Sequence, residues 1–582
     1  MKSRLFFLVA ILGFITAAGF RYAANKTPTR PKQVSKQQVM KNKFIIQCSP
    51  DWNELDADSL ANSMSVLPGW GNYRWHITTK NDSAQFYFNQ GINLYYAFHI
   101  IESMASFKKA QRFDDNSAMI YWAQALAYGP NINDFVYAAT PEAYAAAQKA
   151  LSLKSNCSAK EKILVDAMAV RYTNDSTTSR ESLNELYTAA MKKAYGNFTQ
   201  DADIAALYAD AMMLQHPWDY WKHNGEAQPW TPAITNVLEK TLSAHPLHPG
   251  SNHYYIHMVE ASPNPGKALA SADRLGKLMP QVSHMIHMPS HIYIRTGNYK
   301  QGIKVNEMSV GGYDAYLKLY PDVQNNAFLY LFHNLHMLSA CAMNKSNYAF
   351  SKKSAAECSR SFDTSLMSMP PPLGQFVQYL YMTDVFNEIR FGKWDTILNM
   401  QAAAEHHLYA NTLWHWARGM AFTGKKNMAA ANGELKLMQE KMKAPDLQVV
   451  MQPFNAPYAA AKVAEKILEG RLAELQNDNV KAIELFTAAA ANEDALIYQE
   501  PRDWLLPARH YLGNALLKSG NAAKAEKAFR EELRDNPNNH WSLYGLYKAL
   551  VMQKKAAPAA GIKKQFEKAF EGADIKQATI VY

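Results

Sequence analysis

Residues 253–257 read HYYIH, and residues 287–291 read HMPSH. Each stretch places two histidines four positions apart, so on an α-helix both lie on one face. The second stretch begins 34 residues after the first. A repeat of 34 residues is typical of a helix–turn–helix unit that stacks into a solenoid. The two stretches therefore predict an all-α repeat fold in which like-spaced histidine pairs lie on neighbouring helices.

Further histidines surround these two pairs. Nine of the 18 histidines of the chain fall between positions 245 and 336. His284 stands three residues before the second pair, and His333 and His336 are again three residues apart. Packed helix axes lie about 8–10 Å apart, so we expect the pairs His253/His257 and His287/His291 to meet on one ion. Ordinary polar residues of a solvated groove, or separately satisfied core histidines, are the other interpretation.

The pattern favours a transition-metal site. Its candidate ligands are His253, His257, His284, His287, His291, His333 and His336. Glu260, one turn after the first pair, is the candidate catalytic base or hydrogen-bonding partner of the ligands. Seven histidines exceed the three or four protein ligands of one Zn²⁺, which suggests two metals or one metal with neighbouring bases. Copper, iron and zinc all accept imidazole, so the residues do not choose among them.

A long segment interrupts the helical pattern just before the histidines. Residues 215–232 read QHPWDYWKHNGEAQPWTP and contain three tryptophans. Loops of this length inside a domain are often functional. We expect an ordered loop that acts either as a lid over the histidines or as a plug in the solenoid. Helices are expected to resume at 250–261 and 281–295, which carry five of the candidate ligands.

The last part of the chain carries the clearest repeat. Gly513, Gly520, Ala525, Phe529 and Pro537 occupy the close-packing, turn, small-contact, aromatic and terminating positions of a tetratricopeptide repeat. The chain is thus identified as a member of the tetratricopeptide superfamily, which implies a tetratricopeptide-repeat α-solenoid. Grooves of such solenoids commonly bind peptides, so a non-catalytic scaffold for a protein or peptide partner is the main alternative to a metal-dependent, oxidase- or oxygenase-like enzyme. A metal store or carrier is a third.

A closer resemblance rests on five strings. They are FNQGINLYYAF (88–98), GPNIN (129–133), HPGSNHYYIHMVEAS (248–262), HMPSHIYIRTGNY (287–299) and HNLH (333–336). They are similar to motifs of a group of large exported bacterial tetratricopeptide proteins without an established activity. Members often read YAFNH where this chain has Phe98, His99 and Ile100. Any ligand role at the Ile100 position is therefore lost here.

The superfamily resemblance also implies which way the candidate ligands point. Positions 2, 5, 9 and 12 of the first helix of a repeat face the concave groove. Alignment on Gly297 gives His284, His287 and His291 positions 2, 5 and 9. The preceding repeat then has His253 at 5, His257 at 9 and Glu260 at 12, and the following repeat has His333 at 2 and His336 at 5. The resemblance thus implies that all seven histidines face the groove.

The N-terminus has the pattern of an export signal. Lys2 and Arg4 precede an apolar run that ends in small residues near position 19. We expect a signal peptide or anchor at 1–19, a flexible basic linker at 20–43 and an irregular segment at 44–83. Helical repeats with the histidine-rich groove follow at 84–343, and C-terminal repeats at 344–582. The protein is therefore expected to be exported to the periplasm, with membrane attachment only if the leader stays uncleaved.

Charge and motifs exclude several classes of function. Residues 1–43 hold nine basic and no acidic residues, which leaves a net charge of +1 for the rest of the chain. Nothing therefore indicates a nucleic-acid-binding face. The chain contains no GxSxG, no HExxH and no phosphate-binding glycine loop. Its four cysteines show no CxxC spacing, and Cys341 and Cys358 are not expected to form a disulfide.

Overall fold

Helix follows helix along the whole described chain. The computed structural model describes residues 56–133, 141–222, 224–319, 324–450, 454–575 and 579–582, without the side chains of 314–317, 319 and 324–330. In these ranges the only strand-like pairing is an isolated bridge between Trp221 and Ala227. The all-α prediction is confirmed. The export signal, the basic linker and Cys48 lie outside the described residues.

The helices are α1 (Ala57–Ser63), α2 (Asp82–Tyr96), α3 (Ile100–Phe113), α4 (Ala118–Ala127), α5 (Pro141–Ser152), α6 (Ala159–Ala169), α7 (Arg180–Asn197), α8 (Ala202–Gln215), α9 (Thr231–Ala244), α10 (Pro249–Val259), α11 (Leu269–Leu278), α12 (Ser283–His287), α13 (Pro289–Arg295), α14 (Tyr299–Leu319), α15 (Gln324–Asn344), α16 (Tyr348–Arg360), α17 (Leu373–Tyr381), α18 (Thr383–Arg390), α19 (Trp394–Asn399), α20 (Leu408–Gly424), α21 (Met428–Lys441), α22 (Pro457–Leu475), α23 (Asn479–Asp494), α24 (Ala508–Lys518), α25 (Ala522–Asp535), α26 (His540–Met552) and α27 (Ala556–Phe570). In the described parts of the chain, no helix combines the length and the apolar character needed to span a membrane.

The same close packing of a glycine against a phenylalanine ring recurs in three helix pairs. A Cβ atom on Gly91, Gly470 or Gly513 would lie within about 2.4 Å of a phenylalanine ring that follows 16 residues later in the chain. These rings belong to Phe107, Phe486 and Phe529. The glycine lets the aromatic ring of the second helix fill the space against the first. This is the tetratricopeptide arrangement that Gly513 and Phe529 predicted, and the solenoid fold is confirmed.

The C-terminal repeats fold back against the centre of the chain. Arg295 donates a hydrogen bond of 2.9 Å to the carbonyl of Asp535, and Trp541 donates one of 3.3 Å to the carbonyl of Met343. Gly297 approaches the carbonyl of Pro537 so closely that a Cβ there would lie 2.3 Å from its oxygen. These contacts place α25 and α26 beside the centre of the chain, and the loop between α23 and α24 also lies there, since the Arg295 guanidinium is 5.3 Å from the Tyr498 ring centroid.

The second histidine helix is broken. One helix was expected over 281–295, but the structure divides it into α12 and α13 at Met288. Pro289 is the cause, because proline has no N–H to donate to the preceding turn and its ring clashes with that turn. The break falls between His287 and His291.

The expected loop is ordered and packs on the first histidine helix. It joins α8 to α9, and the Trp221 indole donates a hydrogen bond of 2.7 Å to the carbonyl of Met258. Trp230 donates one of 2.6 Å to the carbonyl of Asp219, which closes the loop on itself. Cys341 and Cys358 are both free and buried, as expected.

Candidate metal centre

Helix α10 holds the first histidine pair in a fixed frame. His248 caps it by accepting a hydrogen bond of 2.9 Å from the Ser251 N–H through Nδ1, and Pro249 supplies the first helical residue. His253 and His257 are 0% and 3% exposed. Histidines buried to this degree need partners for their ring nitrogens, because an unsatisfied buried polar group is costly.

Three histidines converge in the first cluster, which we call site A. The Nε2 atom of His253 lies 3.1 Å from Nε2 of His257 and 3.2 Å from Nε2 of His284. His253 and His257 lie on α10, and His284 lies on α12. Helix α11 separates these two helices in the sequence. All three side chains are buried, and their ligand atoms lie within 4.8 Å of one another.

A second cluster of the same kind, site B, adjoins the first. The Nε2 atom of His291 lies 2.9 Å from Nε2 of His287 and 3.1 Å from Nε2 of His333. The two sites touch, since the His257 and His291 rings are 5.8 Å apart between centroids. His284 and His291 are seven residues apart, or about 10 Å along the helix axis, which places His284 at site A and His291 at site B.

The Nδ1 partners determine which nitrogen of each ring carries a hydrogen. His253 Nδ1 lies 2.7 Å from the carbonyl oxygen of Tyr96, and His257 Nδ1 lies 3.0 Å from a Glu260 carboxylate oxygen. Carbonyl and carboxylate oxygens only accept, so both Nδ1 atoms donate. The neutral rings then have an unprotonated Nε2, whose lone pair points into site A.

The same reasoning applies to site B. His287 Nδ1 lies 2.6 Å from Asn306 Oδ1, and the Asn306 amide nitrogen donates 2.9 Å to the carbonyl of Gly302. The second bond fixes the orientation of the amide, so its oxygen faces the imidazole. His291 Nδ1 lies 2.5 Å from the second oxygen of Glu260. His287 therefore directs an Nε2 lone pair into site B, and His291 does the same when its ring is neutral or bound to metal.

Lone pairs that face each other at about 3 Å repel unless a cation lies between them. Nitrogens bound tetrahedrally to one ion at about 2.0–2.1 Å are separated by about 3.3 Å. The Nε2 separations of 2.9–3.2 Å in both sites are close to that value. Each trio of imidazoles therefore has the donor set and nearly the spacing of a three-histidine metal site.

Two buried carboxylates accompany the imidazoles. Glu260 connects the sites by accepting from His257 with one oxygen and from His291 with the other. Glu500, from the loop between α23 and α24, also approaches His291 Nδ1, at 2.7 Å. Hydrogen-bonded carboxylates orient histidine ligands and increase their basicity. They also supply negative charge that favours a cation in the centre.

Burial keeps most of these imidazoles neutral. Desolvation lowers the pKa of His257 to about 3 and holds the pKa values of His253, His284, His287 and His333 well below the usual range. Burial acts on His291 as well, but the carboxylates of Glu500 and Glu260 outweigh it and raise its pKa to about 10. Burial raises the pKa of Glu500 too. The neutral rings are in the form that binds metal.

Two aromatic side chains in a strained backbone conformation cover site A. Phe98 ends α2 with φ of 58°, at the position that Gly297 occupies after α13, and its ring centroid lies 4.6 Å from that of His253. Trp218, in the loop before α9, has φ of 63°, and its ring lies 5.1 Å from His257. Bulky residues rarely adopt positive φ and hold it only where the surroundings fix them, often at functional sites.

The structure arranges the predicted residues differently from the sequence-based expectation. Each of the pairs His253/His257 and His287/His291 joins a different third histidine, and one member of each pair, His257 and His291, also groups with Glu260. His336 belongs to neither trio. Glu260 lies behind the ligands and faces their Nδ1 atoms. The six ligands lie in the interior and not on an open groove, and only His333 among them is partly exposed.

Several contributors have no signal in the sequence. Asn306 and the carbonyl of Tyr96 orient histidines but belong to no motif. Glu500 directly precedes the Pro501–Trp504 stretch, which stands out before the last repeat, and only the fold brings it to His291. His99, next to the position where similar sequences carry a histidine, instead lies 3.5 Å from Glu102 and outside both trios.

Comparisons with known proteins find only distant similarities. No protein-family model and no curated protein matches the chain. The human IFIT1 dimer with m7Gppp-AAAA is 12% identical over 89% of this chain and 94% of its own, with a TM-score of 0.30. Yeast Tom70 is 11% identical over 84% and 93%, with a TM-score of 0.27, and the P58(IPK) TPR domain is 11% identical over 81% and 99%, with a TM-score of 0.21. These values carry no argument about function.

Proposed function

We propose that this protein holds two transition-metal ions, one in each three-histidine site, and that the pair is the centre of an oxidase- or oxygenase-like reaction. One observation carries the proposal: in each trio the Nε2 atoms of three imidazoles converge, with separations of 2.9–3.2 Å from the central ring, and two of the three rings have an Nδ1 atom held by an acceptor behind it. A metal cation at the centre of each trio would accept the converging Nε2 lone pairs.

The number of ligands supports a reactive role over a structural one. Structural zinc sites are closed by four protein ligands, whereas catalytic sites keep three and leave a position for water or substrate. Each trio supplies three imidazoles. Within the described ranges no cysteine joins either trio, because Cys157, Cys341 and Cys358 are free and belong to neither candidate site. Imidazole donors accept copper, iron and zinc, and among divalent ions copper binds such donors most tightly. Copper is therefore the ion we expect.

The burial of the histidines disfavours a peptide-binding role for these residues. A peptide in the groove cannot reach side chains such as His253 and His287, which are both 0% exposed. A protein or peptide partner of the solenoid would have to bind elsewhere on its surface. The alternative of a scaffold thus does not account for the trios, whereas a metal centre does.

We also propose that the protein is exported and belongs with the large exported bacterial tetratricopeptide proteins that its motifs resemble. The support is the positively charged start and apolar run of residues 1–20, together with the histidine motifs. Mass spectrometry of the mature N-terminus tests this: we expect loss of roughly the first 19–24 residues. A cytoplasmic chain that still begins at Met1 would contradict it.

The test of the reaction uses untagged protein, because a histidine tag would add ligands. Elemental analysis of protein purified from an exporting host identifies the metal. Oxygen consumption is then measured with ascorbate as electron donor, against free copper and against a His253→Ala/His287→Ala variant that lacks a ligand in each site. Turnover that exceeds both controls supports an oxidase-like centre. Metal-loaded protein with no more activity than free copper would leave a metal store or carrier as the better account.

A further inference from the structure

A small cavity adjoins site B. Its volume is about 40 Å³, and its wall includes His333, His336, Glu500 and the rings of Phe332, Phe376 and Tyr379. His333 is a ligand of site B, and Glu500 contacts the ligand His291 at 2.7 Å. The cavity thus lies beside the metal position, and Leu380, Gln499 and Pro501 complete its lining.

His336 differs from the six histidines of the two sites. Its side chain is 4% exposed, and its Nε2 is buried with no hydrogen-bond partner in the part of the chain that the structure describes. The ring lies edge-on to Tyr379, with centroids 5.4 Å apart. Buried polar nitrogens in native proteins are nearly always paired, and one that is not usually marks a ligand, an ion or a water.

The size of the cavity limits what can satisfy this nitrogen. A water molecule needs roughly 10–15 Å³ of such volume, whereas a cavity that binds benzene measures about 150 Å³. A space of about 40 Å³ therefore admits a ligand of two or three heavy atoms and excludes an aromatic substrate.

We propose that this cavity binds a di- or triatomic hydrogen-bond acceptor, which coordinates the ion of site B and accepts a hydrogen bond from His336 Nε2. The inference rests on the proposed metal centre and adds the class of ligand and the residue that recognises it. Glu500 also lines the cavity, and a carboxylate there would disfavour an anionic ligand. The positive charge of a bound metal ion is larger, however, and favours an anionic or polarisable ligand. His336 remains neutral beside the ion, since burial lowers its pKa to about 3.

Azide is the probe, because it has three atoms, accepts hydrogen bonds and gives a charge-transfer band when it binds Cu²⁺. The full chain is loaded with copper and titrated with azide. We expect one azide per chain in the wild type and in His284→Ala, which keeps site B, and none in His333→Ala. His336→Leu removes one hydrogen bond to a charged ligand, which should weaken azide binding about tenfold to a hundredfold.

Two further variants keep the test decisive. His336→Gln retains an amide donor and should recover most of the affinity, and His415→Gln, a histidine outside both sites, should leave it unchanged. Copper content and helical circular dichroism are measured for every variant. If the protein binds copper and His336→Leu binds azide as tightly as the wild type, the ligand inference is wrong and the metal centre stands. If the wild type binds no copper, the proposed function itself fails.

Discussion

Nδ1 of His291 donates a hydrogen bond of 2.5 Å to the carboxylate of Glu260, which lies one repeat earlier in the chain. The other oxygen of that carboxylate accepts from His257 at 3.0 Å. A single side chain therefore orients one ligand in each of the two sites. Nδ1 of His291 has a second carboxylate acceptor, Glu500, at 2.7 Å. Nδ1 of His257 donates to Glu260.

This asymmetry predicts the effect of Glu260→Ala. His257 loses the acceptor of its Nδ1 hydrogen, while His291 keeps Glu500, so site A should lose more affinity than site B. Removal of such a partner typically weakens metal binding 10–100-fold. The two sites are measured separately by competition with a chromophoric chelator, site A in a His333→Ala background and site B in a His284→Ala background.

Glu434→Ala is the matched control for this variant. Glu434 accepts a hydrogen bond of 2.7 Å from His415, so the substitution removes a partly buried histidine–glutamate contact outside the metal centre. Its metal affinity should equal that of the wild type. Equal losses at both sites in Glu260→Ala, or no loss at either, would contradict the assigned role of Glu260.

Single ligand substitutions should remove the ions one at a time. His284→Ala takes a ligand from site A, and His333→Ala takes one from site B, so each variant should retain one equivalent of metal. His336→Ala, one turn from His333 on the same helix, should retain two. Helical circular dichroism should stay unchanged, because a solenoid is held by contacts between neighbouring helices and not by one ion. A single substitution that removes all the metal would show one shared site.

The protein without metal should lose stability as the pH falls below about 6.5. Burial lowers the folded-state pKa of His257 and His336 to about 3, so the unfolded chain takes up protons there first. Each such histidine contributes stability above its unfolded pKa that is lost at about 1.4 kcal/mol per pH unit between about 6.5 and 3. His291 acts in the opposite direction, and its contribution is lost as the pH rises from about 6.5 to about 10.

Thermal denaturation of the apoprotein between pH 8 and pH 5 measures this effect. We expect the midpoint to fall between about pH 6.5 and pH 5, but not between pH 8 and pH 6.5, and the fall to be shallower in His336→Leu, which removes one of the titrating groups. A midpoint that does not change between pH 7 and pH 5 would show that the imidazoles are not buried as neutral groups.

The repeated glycine–phenylalanine contact predicts a test of the fold. A Cβ on Gly513 would meet the Phe529 ring at 2.3 Å, so Gly513→Ala should lower the free energy of unfolding by about 1–3 kcal/mol through overpacking. Gly433, within α21, has nothing within 4 Å of its Cβ position, and Gly433→Ala should instead stabilise by up to about 1 kcal/mol. Urea denaturation compares the two. A stabilising Gly513→Ala would contradict the packing described.

The fold could be predicted from the sequence because the patterns that indicate it are short-range. The 34-residue spacing, the turn glycines and the pairing of Gly513 with Phe529 each involve one repeat or two adjacent ones. The ligand types were equally visible, since six of the seven predicted histidines lie in the two trios. The partition of those histidines was not, because it depends on how the histidine-bearing helices pack against one another, which helical phase alone does not contain.

Other parts of the centre depend on contacts between distant segments. Glu500 reaches His291 only because the C-terminal repeats fold back on the central ones, and nothing near either residue indicates that contact. Phe98 reaches His253 through a left-handed residue at the end of α2, a conformation that a phenylalanine does not predict. His336 has the spacing of a ligand, yet it lines the cavity beside site B and belongs to neither trio.

The most direct test of the account is the number of metal ions that one chain binds. Untagged protein, stripped of metal, is titrated with Cu²⁺ and separately with Zn²⁺ at pH 7.5, and bound metal is counted by elemental analysis after gel filtration. The account predicts two equivalents per chain in the wild type and fewer than a tenth of an equivalent in a His253→Ala/His257→Ala/His287→Ala/His291→Ala variant. A wild-type protein that takes up less than a tenth of an equivalent of any transition metal would contradict it.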